Sequence, residues 1–324
     1  MAEHAATQGP YNHVGVIGAG AWGTALAIAA ARAGRRVTLW SRNAPAAVGA
    51  ALPHGISRTN DSAAAANADA LLLVVPAQRV RGVLAAFGPH LASQAPVVVC
   101  AKGIERDSGK LTTEVLAEFV IPDRIAVLSG PSFARDVTAG LPTAVTIAGE
   151  LAVAQQLQLT LGHDSFRPYA SDDVTGVALG GAAKNVYAIA CGILVGMGLG
   201  ESARAALLSR SFAELRRFGD ALGARGETLM GLSGLGDLVL TATSPTSRNF
   251  SFGLALGRGV SRAELERDGR PLAEGAATAP ALVARGRRHN VELPVAETTA
   301  AILDGSLALG AAVPLLMSRP LKAE

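Results

Sequence analysis

The candidate catalytic residues of this chain are charged side chains in apolar surroundings. Lys184 and Asn185 lie within GVALGGAAKNVYAIACGILVG, a segment otherwise free of charge over more than twenty residues. Burying an ammonium group there would be costly unless the group were paired or faced a polar cavity. Lys184 is therefore the strongest candidate for a catalytic acid or base, and a structural ion pair is the alternative.

A second set of polar residues follows further along the chain. Asp237 comes directly after the glycine-rich run GLSGLG, and on a helix Thr241 would share its face one turn later. Asp237 could cap a helix or hold Lys184 in place. The segment SRN at 247–249 sets an arginine beside an amide and the N–H groups of a helix start, which suits it to gripping a phosphate.

A glycine-rich turn near the N-terminus predicts a dinucleotide site. The motif GAGAWG at 18–23 follows the strand-like run HVGVI and opens a helix-forming stretch. Gly18 would allow the tight turn, Gly20 the approach of a pyrophosphate, and Gly23 the packing of helix on strand. A plain glycine-rich turn is the alternative, but the strand, turn and helix context favours nucleotide binding.

The end of the second strand-like run bears on the choice of nicotinamide cofactor. An NAD-selective site normally places Asp or Glu there, about 20 residues after the glycines, to bind the ribose 2′-hydroxyl. This chain has Ser41 and Arg42, so we expect NADP(H) to be preferred, with Arg42 at the 2′-phosphate, while NAD(H) stays open. The alternative for Arg42 is a solvated arginine at a strand end.

Polar residues also follow later apolar runs, at the edge where ligands bind in doubly wound sheets. Gln78 follows LLLVVPA, Lys102 follows PVVVCA, and SGPSFA at 129–134 follows IAVL. Lys102 would then face the cofactor crevice, although it could be a solvated cap, and Ser132 could be an N-cap for FARDV. Their shared position at one sheet edge favours a site.

The spacing of apolar residues predicts the scaffold. Up to about residue 170, β-branched runs alternate with Ala-rich stretches, and beyond it apolar residues recur at helical spacing. We expect an α/β protein with an N-terminal Rossmann doubly wound parallel sheet over 1–174 and an all-α C-terminal domain over 175–324. The predicted strands are His13–Ile17, Arg36–Trp40, Ala70–Val75, Pro96–Ala101, Ile125–Leu128 and Thr143–Ile147.

Composition narrows the function classes. The 29 Lys and Arg against 26 Asp and Glu give a net charge of +3, and the basic residues are scattered, so nucleic-acid binding is not expected. Mean hydropathy is +0.32, which raises the question of a membrane protein. The longest apolar stretch, 186–200, is cut by glycines and is shorter than the about 20 residues of a membrane-spanning helix, so we expect a buried helix there.

The N-terminus has no targeting pattern, which predicts a cytoplasmic location. Cys100 and Cys191 are expected to be buried free thiols, with no metal site.

Together these motifs resemble the bacterial NAD(P)-dependent sn-glycerol-3-phosphate dehydrogenases. The resemblance runs in order over nearly the whole chain from His13 onward and implies reversible reduction of dihydroxyacetone phosphate to sn-glycerol 3-phosphate, which feeds glycerophospholipid synthesis. The motifs that carry it are GAGAWGTALA at 18–27, LWSR at 39–42, VPAQ at 75–78, AKGIE at 101–105, SGPSFA at 129–134, AAKNVYAIACG at 182–192, GLSGLGDL at 231–238, SRN at 247–249 and AEG at 273–275.

The resemblance also implies residue roles. Lys184 would be the general acid and base for hydride transfer at C2. The dinucleotide would contact Gly18, Gly20, Ala21, Trp22, Gly23, Arg42, Lys102, Ala134, Arg248, Leu272 and Glu274. The substrate would contact Lys102, Gly130, Ser132, Lys184, Asp237, Ser247, Arg248 and Asn249. The expected partner is this small molecule, and a homodimer is open.

Two departures from the family pattern and two competing functions stay open. The family commonly has Asn near Ser202 and Gly in place of Ser211, which bears on local packing or turnover. A β-hydroxyacid dehydrogenase or ketopantoate reductase would need Asn four residues after the lysine, where this chain has Ala188. A sensor that binds NADPH without turnover is the other alternative, against which Lys184, Asp237 and Arg248 argue.

Overall fold

The computed structural model describes residues 9–42, 52–91, 94–267 and 273–318, and its N-terminal half is built on one sheet. The sheet has eight strands in the order β3-β2-β1-β4-β5-β6-β7-β8. The strands are β1 (His13–Ile17), β2 (Arg36–Trp40), β3 (Ile56–Thr59), β4 (Ala70–Leu73), β5 (Val97–Val99), β6 (Ile125–Ser129), β7 (Thr143–Ala148) and β8 (Phe166–Ser171).

Strand direction in this sheet decides where polar residues meet. Neighbouring strands from β3 across to β6 pair in parallel, β7 runs antiparallel to β6, and β8 runs parallel to β7. The mostly parallel sheet is as predicted, while the reversal at β7 was not. The carboxyl ends of β1, β2, β4, β5 and β6 therefore lie side by side along one border of the sheet, its carboxyl edge. Ligands bind at this border in doubly wound sheets.

All six predicted strands are present, and the two that were not predicted, β3 and β8, form the two edges of the sheet. β3 has the sequence ISRT, with one apolar residue, and none of its side chains is buried. β8 has the sequence FRPYAS and contains Pro168, which an edge strand tolerates because one side of it needs no ladder hydrogen bonds. Neither strand has the continuous apolar run of a covered strand.

Helices cover both faces of the sheet and make up every regular element described after Val174. Helices α1, α5 and α6 bury apolar side chains against one face, and α2, α3 and α4 against the other. The sheet-covering helices are α1 (Ala21–Arg32), α2 (Ser62–Ala66), α3 (Val80–Phe87), α4 (Thr112–Leu116), α5 (Ala134–Ala139) and α6 (Leu151–Leu161). The later helices are α7 (Val174–Gly196), α8 (Glu201–Ala221), α9 (Gly226–Met230), α10 (Asp237–Thr243), α11 (Arg248–Gly257), α12 (Arg262–Arg267), α13 (Glu274–Arg288), α14 (Pro294–Asp304) and α15 (Leu309–Met317).

Helix α7 forms the centre of the helical half. Among the described residues it is the one helix long and apolar enough to cross a membrane, yet 94% of its most apolar window is buried inside the protein, as in a core helix. Its glycines let α11 approach closely. A Cβ on Gly192 would lie 2.1 Å from the Phe250 carbonyl oxygen, and one on Gly253 would lie 2.1 Å from that of Ile189. This contact brings the start of α11 toward the middle of α7.

Candidate active site

Lys184, in the middle of α7, has two hydrogen-bond partners on α10. Its ammonium group donates to Asp237 Oδ1 and, at 2.9 Å, to Thr241 Oγ1. Lys102, which follows β5, donates to the other carboxylate oxygen of Asp237 at 2.7 Å. One buried carboxylate therefore joins two ammonium groups, and of the two roles considered for Asp237, holding Lys184 is the one observed.

Burial and the neighbouring charges together set the proton affinity of Lys184. Burial lowers the pKa of Lys184 to about 8 from an ordinary value near 10.5, Asp237 acts to raise it, and Lys102 lowers it further. Burial acts to raise the pKa of Asp237, but the two ammonium groups outweigh this and hold that pKa below its usual value. The pKa of Lys184 therefore lies where it can both give and take a proton near neutral pH.

The loop after β6 supplies backbone groups to the same cluster. The Gly130 carbonyl accepts hydrogen bonds from Lys102 Nζ at 3.0 Å and from Ser132 Oγ at 3.1 Å. Gly130 has φ +146°, and a Cβ there would lie 2.8 Å from Val145 Cα, so the turn requires glycine. The N-cap of α5 is Phe133, so the alternative role of Ser132 as an N-cap is wrong.

A π-helical turn precedes Asp237, and the sequence did not predict it. It spans Leu232–Gly236, and within it Gly236 N–H donates to the Gly231 carbonyl, five residues back, at 3.1 Å. Turns of this kind are rare and often occur at functional sites. The run GLSGLG was the only signal, and it is equally typical of a loop.

Side-chain amides connect this cluster to the starts of two helices. Asn185 Nδ2 donates to the Lys102 carbonyl at 3.2 Å, and its Oδ1 accepts from Asn249 Nδ2 at 2.9 Å. Asn249 Oδ1 in turn accepts from Gly275 N–H at 2.9 Å. The chain of amides joins β5, α7, α11 and α13. Sequence reasoning missed this link for Asn185, because nothing local to Asn185 indicates its partners.

The start of α11 is suited to an anion. Ser247 is its N-cap and accepts from Phe250 N–H at 3.2 Å, while Arg248 is its exposed first residue. The N–H groups of Arg248 and Asn249 belong to the first helical turn, which has no acceptors inside the helix. An arginine beside such donors can hold a phosphate.

Glu274, the first residue of α13, lies in the field of three cations. Burial raises the pKa of Glu274, while Arg248, Lys102 and Lys184 act to lower it. The carboxyl is thus close enough to all three to interact with them, beside the start of α11. Leu272, the other residue expected in this segment, lies outside the described residues.

The glycine-rich turn after β1 has the geometry of a dinucleotide cradle. Gly18 has φ +119°, and a Cβ on Gly23 would lie 1.7 Å from the Gly18 carbonyl oxygen, so tight turning and close packing account for both. At Gly20, no described residue other than its chain neighbours has an atom within 4 Å of a Cβ position, which leaves open space at the start of α1. Ala21 and Trp22 begin α1, so their N–H groups lie in its first turn and have no intrahelical acceptors.

One orphaned polar atom adds to the fit of this cradle. The indole Nε1 of Trp22 is buried and has no hydrogen-bond partner among the described residues. A buried donor without an acceptor is unfavourable unless something else supplies one. The turn, the open space and this donor together fit a dinucleotide.

The remaining predicted residues are more dispersed. Arg42 is exposed, two residues beyond the end of β2, at the same border of the sheet as the cradle. Ala134 is the first residue of α5 and half-buried.

The two departures from the family pattern lie on α8. Ser202 is exposed there, whereas Ser211 is buried and donates to the Leu207 carbonyl at 2.7 Å. The packing thus accommodates the Ser211 hydroxyl. Both cysteines are buried and free, as predicted.

Comparison with known proteins relates this arrangement to one family. Residues 13–154 match the profile of the N-terminal part of NAD-dependent glycerol-3-phosphate dehydrogenase, and residues 173–314 match that of its C-terminal part. A glycerol-3-phosphate dehydrogenase (NAD(P)+) from Parvibaculum lavamentivorans is 52% identical, covering 97% of this chain and 98% of its own length. One from Bradyrhizobium diazoefficiens is 54% identical, covering 97% and 99%.

A solved structure agrees in three dimensions. The crystal structure of glycerol-3-phosphate dehydrogenase from Coxiella burnetii superposes with a TM-score of 0.88 at 36% identity, covering 95% of this chain and 99% of that one. Sequence profiles, whole-chain relatives and fold thus agree with the motifs from the glycine cradle to the SRN segment. The chain belongs to the NAD-dependent glycerol-3-phosphate dehydrogenase family.

Proposed function

We propose that the protein catalyses the reversible reduction of dihydroxyacetone phosphate to sn-glycerol 3-phosphate, with NADP(H) preferred over NAD(H). The observation that carries this proposal is the buried Lys184–Asp237–Lys102 cluster near an arginine-bearing helix start. A proton donor near a phosphate-holding site suits a small phosphorylated ketone. The family and the relatives named above support the same reaction.

Each residue of the cluster has a separate role in the reduction of the ketone in this proposal. A bound reduced nicotinamide supplies the hydride that goes to C2. Lys184 gives its proton to the carbonyl oxygen as negative charge develops there, and takes one back in the reverse reaction. Lys102 adds a second positive charge beside that oxygen, and Asp237 holds both ammonium groups in place.

The phosphate lies at the start of α11 in this proposal. Arg248 would grip it together with the N–H groups of the first turn, and Asn249 and Ser247 would shape that turn. Gly130 and Ser132 would border the substrate, because Ser132 and Lys102 donate to the same Gly130 carbonyl. On the cofactor side, Gly18, Gly20, Ala21, Trp22 and Gly23 would hold the pyrophosphate, and Ala134 and Glu274 would border the nicotinamide half.

Arg42 should determine the cofactor preference. We expect R42A to raise the KM for NADPH by roughly 10-fold or more, the cost of one charge-assisted contact, and to leave the KM for NADH nearly unchanged. The matched control is R36A, an exposed arginine at the opposite end of the same strand. A wild-type preference for NADH, or equal losses with both cofactors, would show that Arg42 has no role at a 2′-phosphate.

The pKa of Lys184 predicts opposite pH profiles for the two directions. Reduction needs the protonated ammonium, so kcat/KM for the ketone should fall as the pH rises through about 8, the value to which burial lowers this pKa. Oxidation needs the neutral amine and should rise over the same range. Initial rates in both directions from pH 6 to pH 10 test this, and parallel profiles would contradict the assignment.

The wider setting follows from the proposed product. We place the enzyme in the cytoplasm, where its product would enter glycerophospholipid synthesis, and we propose the division into domains 1–174 and 175–324. A homodimer fits the apolar side chains that α15 exposes, including Leu315 at 49% and Met317 at 78%. Light scattering of the purified protein would give its mass in solution.

Isotope transfer tests the reaction itself. With NADPH deuterated at C4 of the nicotinamide, the glycerol phosphate formed should carry the deuterium at C2, as read by mass spectrometry. Deuterium in solvent but not in product, or reduction at another carbon, would refute hydride transfer to C2.

A further inference from the structure

Helix α7 makes room for the π turn at one residue, Gly180. A Cβ on Gly180 would lie 2.5 Å from the Ser233 carbonyl oxygen, closer than real Cβ atoms approach. The atoms nearest to that Cβ all belong to the backbone of Ser233 and Gly234, so no side chain could rotate away to make room. The π turn, Leu232–Gly236, therefore rests in a notch on α7 that a residue with a side chain would fill.

The notch lies on the catalytic side of α7. Gly180 is four residues before Lys184, so the two occupy the same face of the helix, one turn apart. The π turn leads without a break into Asp237, the first residue of α10. Because only a few backbone bonds separate the π turn from Asp237, a shift of the turn in the notch should shift the carboxylate that Lys184 contacts.

We propose that Gly180 is a positioning residue for the reaction, because its notch seats the π turn and thereby sets the separation of the Asp237 carboxylate and the Lys184 ammonium. The inference rests on the proposed function where it makes Lys184 the proton donor. Gly180 acts through the π turn and not by a side chain of its own.

Of the charged groups that face Lys184, Asp237 is the one whose backbone continues directly from the π turn. Asp237 comes from α10, Lys102 from the loop after β5, and Glu274 from the start of α13. Lys102 and Glu274 belong to elements that do not pass through the notch. Lys102 contacts Asp237 but also donates to the Gly130 carbonyl, which lies outside the π turn and keeps Lys102 near Lys184. Displacing the π turn therefore weakens the attraction of Asp237 more than the repulsion of Lys102, so the pKa of Lys184 should fall below its value of about 8.

The test compares G180A with a control that is equally crowded. Gly196 is the last residue of α7, about 18 Å from Lys184 and about 24 Å from Gly180 along the helix, and a Cβ there would lie 2.4 Å from the Leu254 carbonyl oxygen. Both variants should lose thermal stability. Only G180A should move the alkaline limb of kcat/KM for ketone reduction, to lower pH by about one unit, which corresponds to widening a charged contact by about 1 Å.

A second readout needs no turnover. The pH dependence of Lys184 acetylation by acetic anhydride, followed by peptide mass spectrometry, reports the same proton directly and should move to lower pH in G180A only. Profiles of G180A that coincide with those of wild type, or equal shifts in G180A and G196A, would overturn the proposal. If wild type reduces no ketone, the proposed function fails, while the labelling still decides the positioning role.

A further variant covers the case in which G180A does not fold. Deletion of Leu235 removes one residue from the π turn and should restore α-helical spacing, rotating Asp237 relative to α7. The labelling profile of Lys184 should then shift in the same direction as expected for G180A. A folded deletion variant with the wild-type profile would overturn the proposal.

Discussion

Replacing Lys184 with Met should lower kcat for ketone reduction by roughly 10²- to 10⁴-fold while the protein stays folded. The size reflects the loss of a positioned proton donor, which contributes by about this factor in other enzymes. Methionine keeps the apolar stem of the side chain, and Asp237 keeps its contact with Lys102, so no unpaired charge is left in the interior. Steady-state kinetics with a thermal melt of the same preparation measure both parts.

The matched control for this variant is K110M. Lys110 is paired with Glu118 on the surface, with its side chain 45% exposed, and should lose no activity when replaced. The KM of K184M should change far less than its kcat, because the interaction removed is strongest in the transition state. Turnover of K184M near the wild-type rate would show that another group moves the proton.

Replacing Arg248 with Ala should raise the KM for dihydroxyacetone phosphate by roughly 10- to 100-fold, as expected for the loss of hydrogen bonds to a charged group. The kcat should change little, because a phosphate remote from C2 is held alike in ground and transition states. The control is R258A, since Arg258 is the C-cap of the same helix, far from its anion-holding start.

The unphosphorylated ketone makes this test specific. Dihydroxyacetone has no phosphate for Arg248 to hold, so R248A and wild type should reduce it with similar, low kcat/KM. An equal loss on both ketones would mean that the substitution disturbs Glu274 or the cofactor rather than phosphate binding. An unchanged KM for the phosphorylated ketone would remove Arg248 from the site.

The sequence was most informative where charge and burial conflict. Lys184 could be identified because a single ammonium group in a long apolar segment requires a partner when it is buried. The structure shows that this partner is Asp237. The glycine cradle was predictable because its turn has no room for side chains. Gly18 has a positive φ, and Gly23 packs directly against the Gly18 carbonyl. The strands of the sheet centre followed from their continuous apolar runs.

What could not be predicted depends on contacts between distant segments. The edge strands β3 and β8 are half-exposed and lack an apolar pattern, so only their neighbours define them. The π turn before Asp237 packs against the notch at Gly180, more than fifty residues earlier in the chain. The amide link from Asn185 to Asn249 depends on the packing of α7 against α11. None of these has a local sequence signal that distinguishes it from a loop or a solvated side chain.

The most direct test of the central claim is the consumption of NADPH, followed by its absorbance, with and without dihydroxyacetone phosphate. The proposed function predicts rapid oxidation only when the phosphorylated ketone is present, with no comparable rate on ketopantoate or a β-keto acid. Oxidation with one of those compounds and not with dihydroxyacetone phosphate would contradict the assignment in favour of the related dehydrogenases. Binding of NADPH without turnover of any of these ketones would instead indicate a sensor.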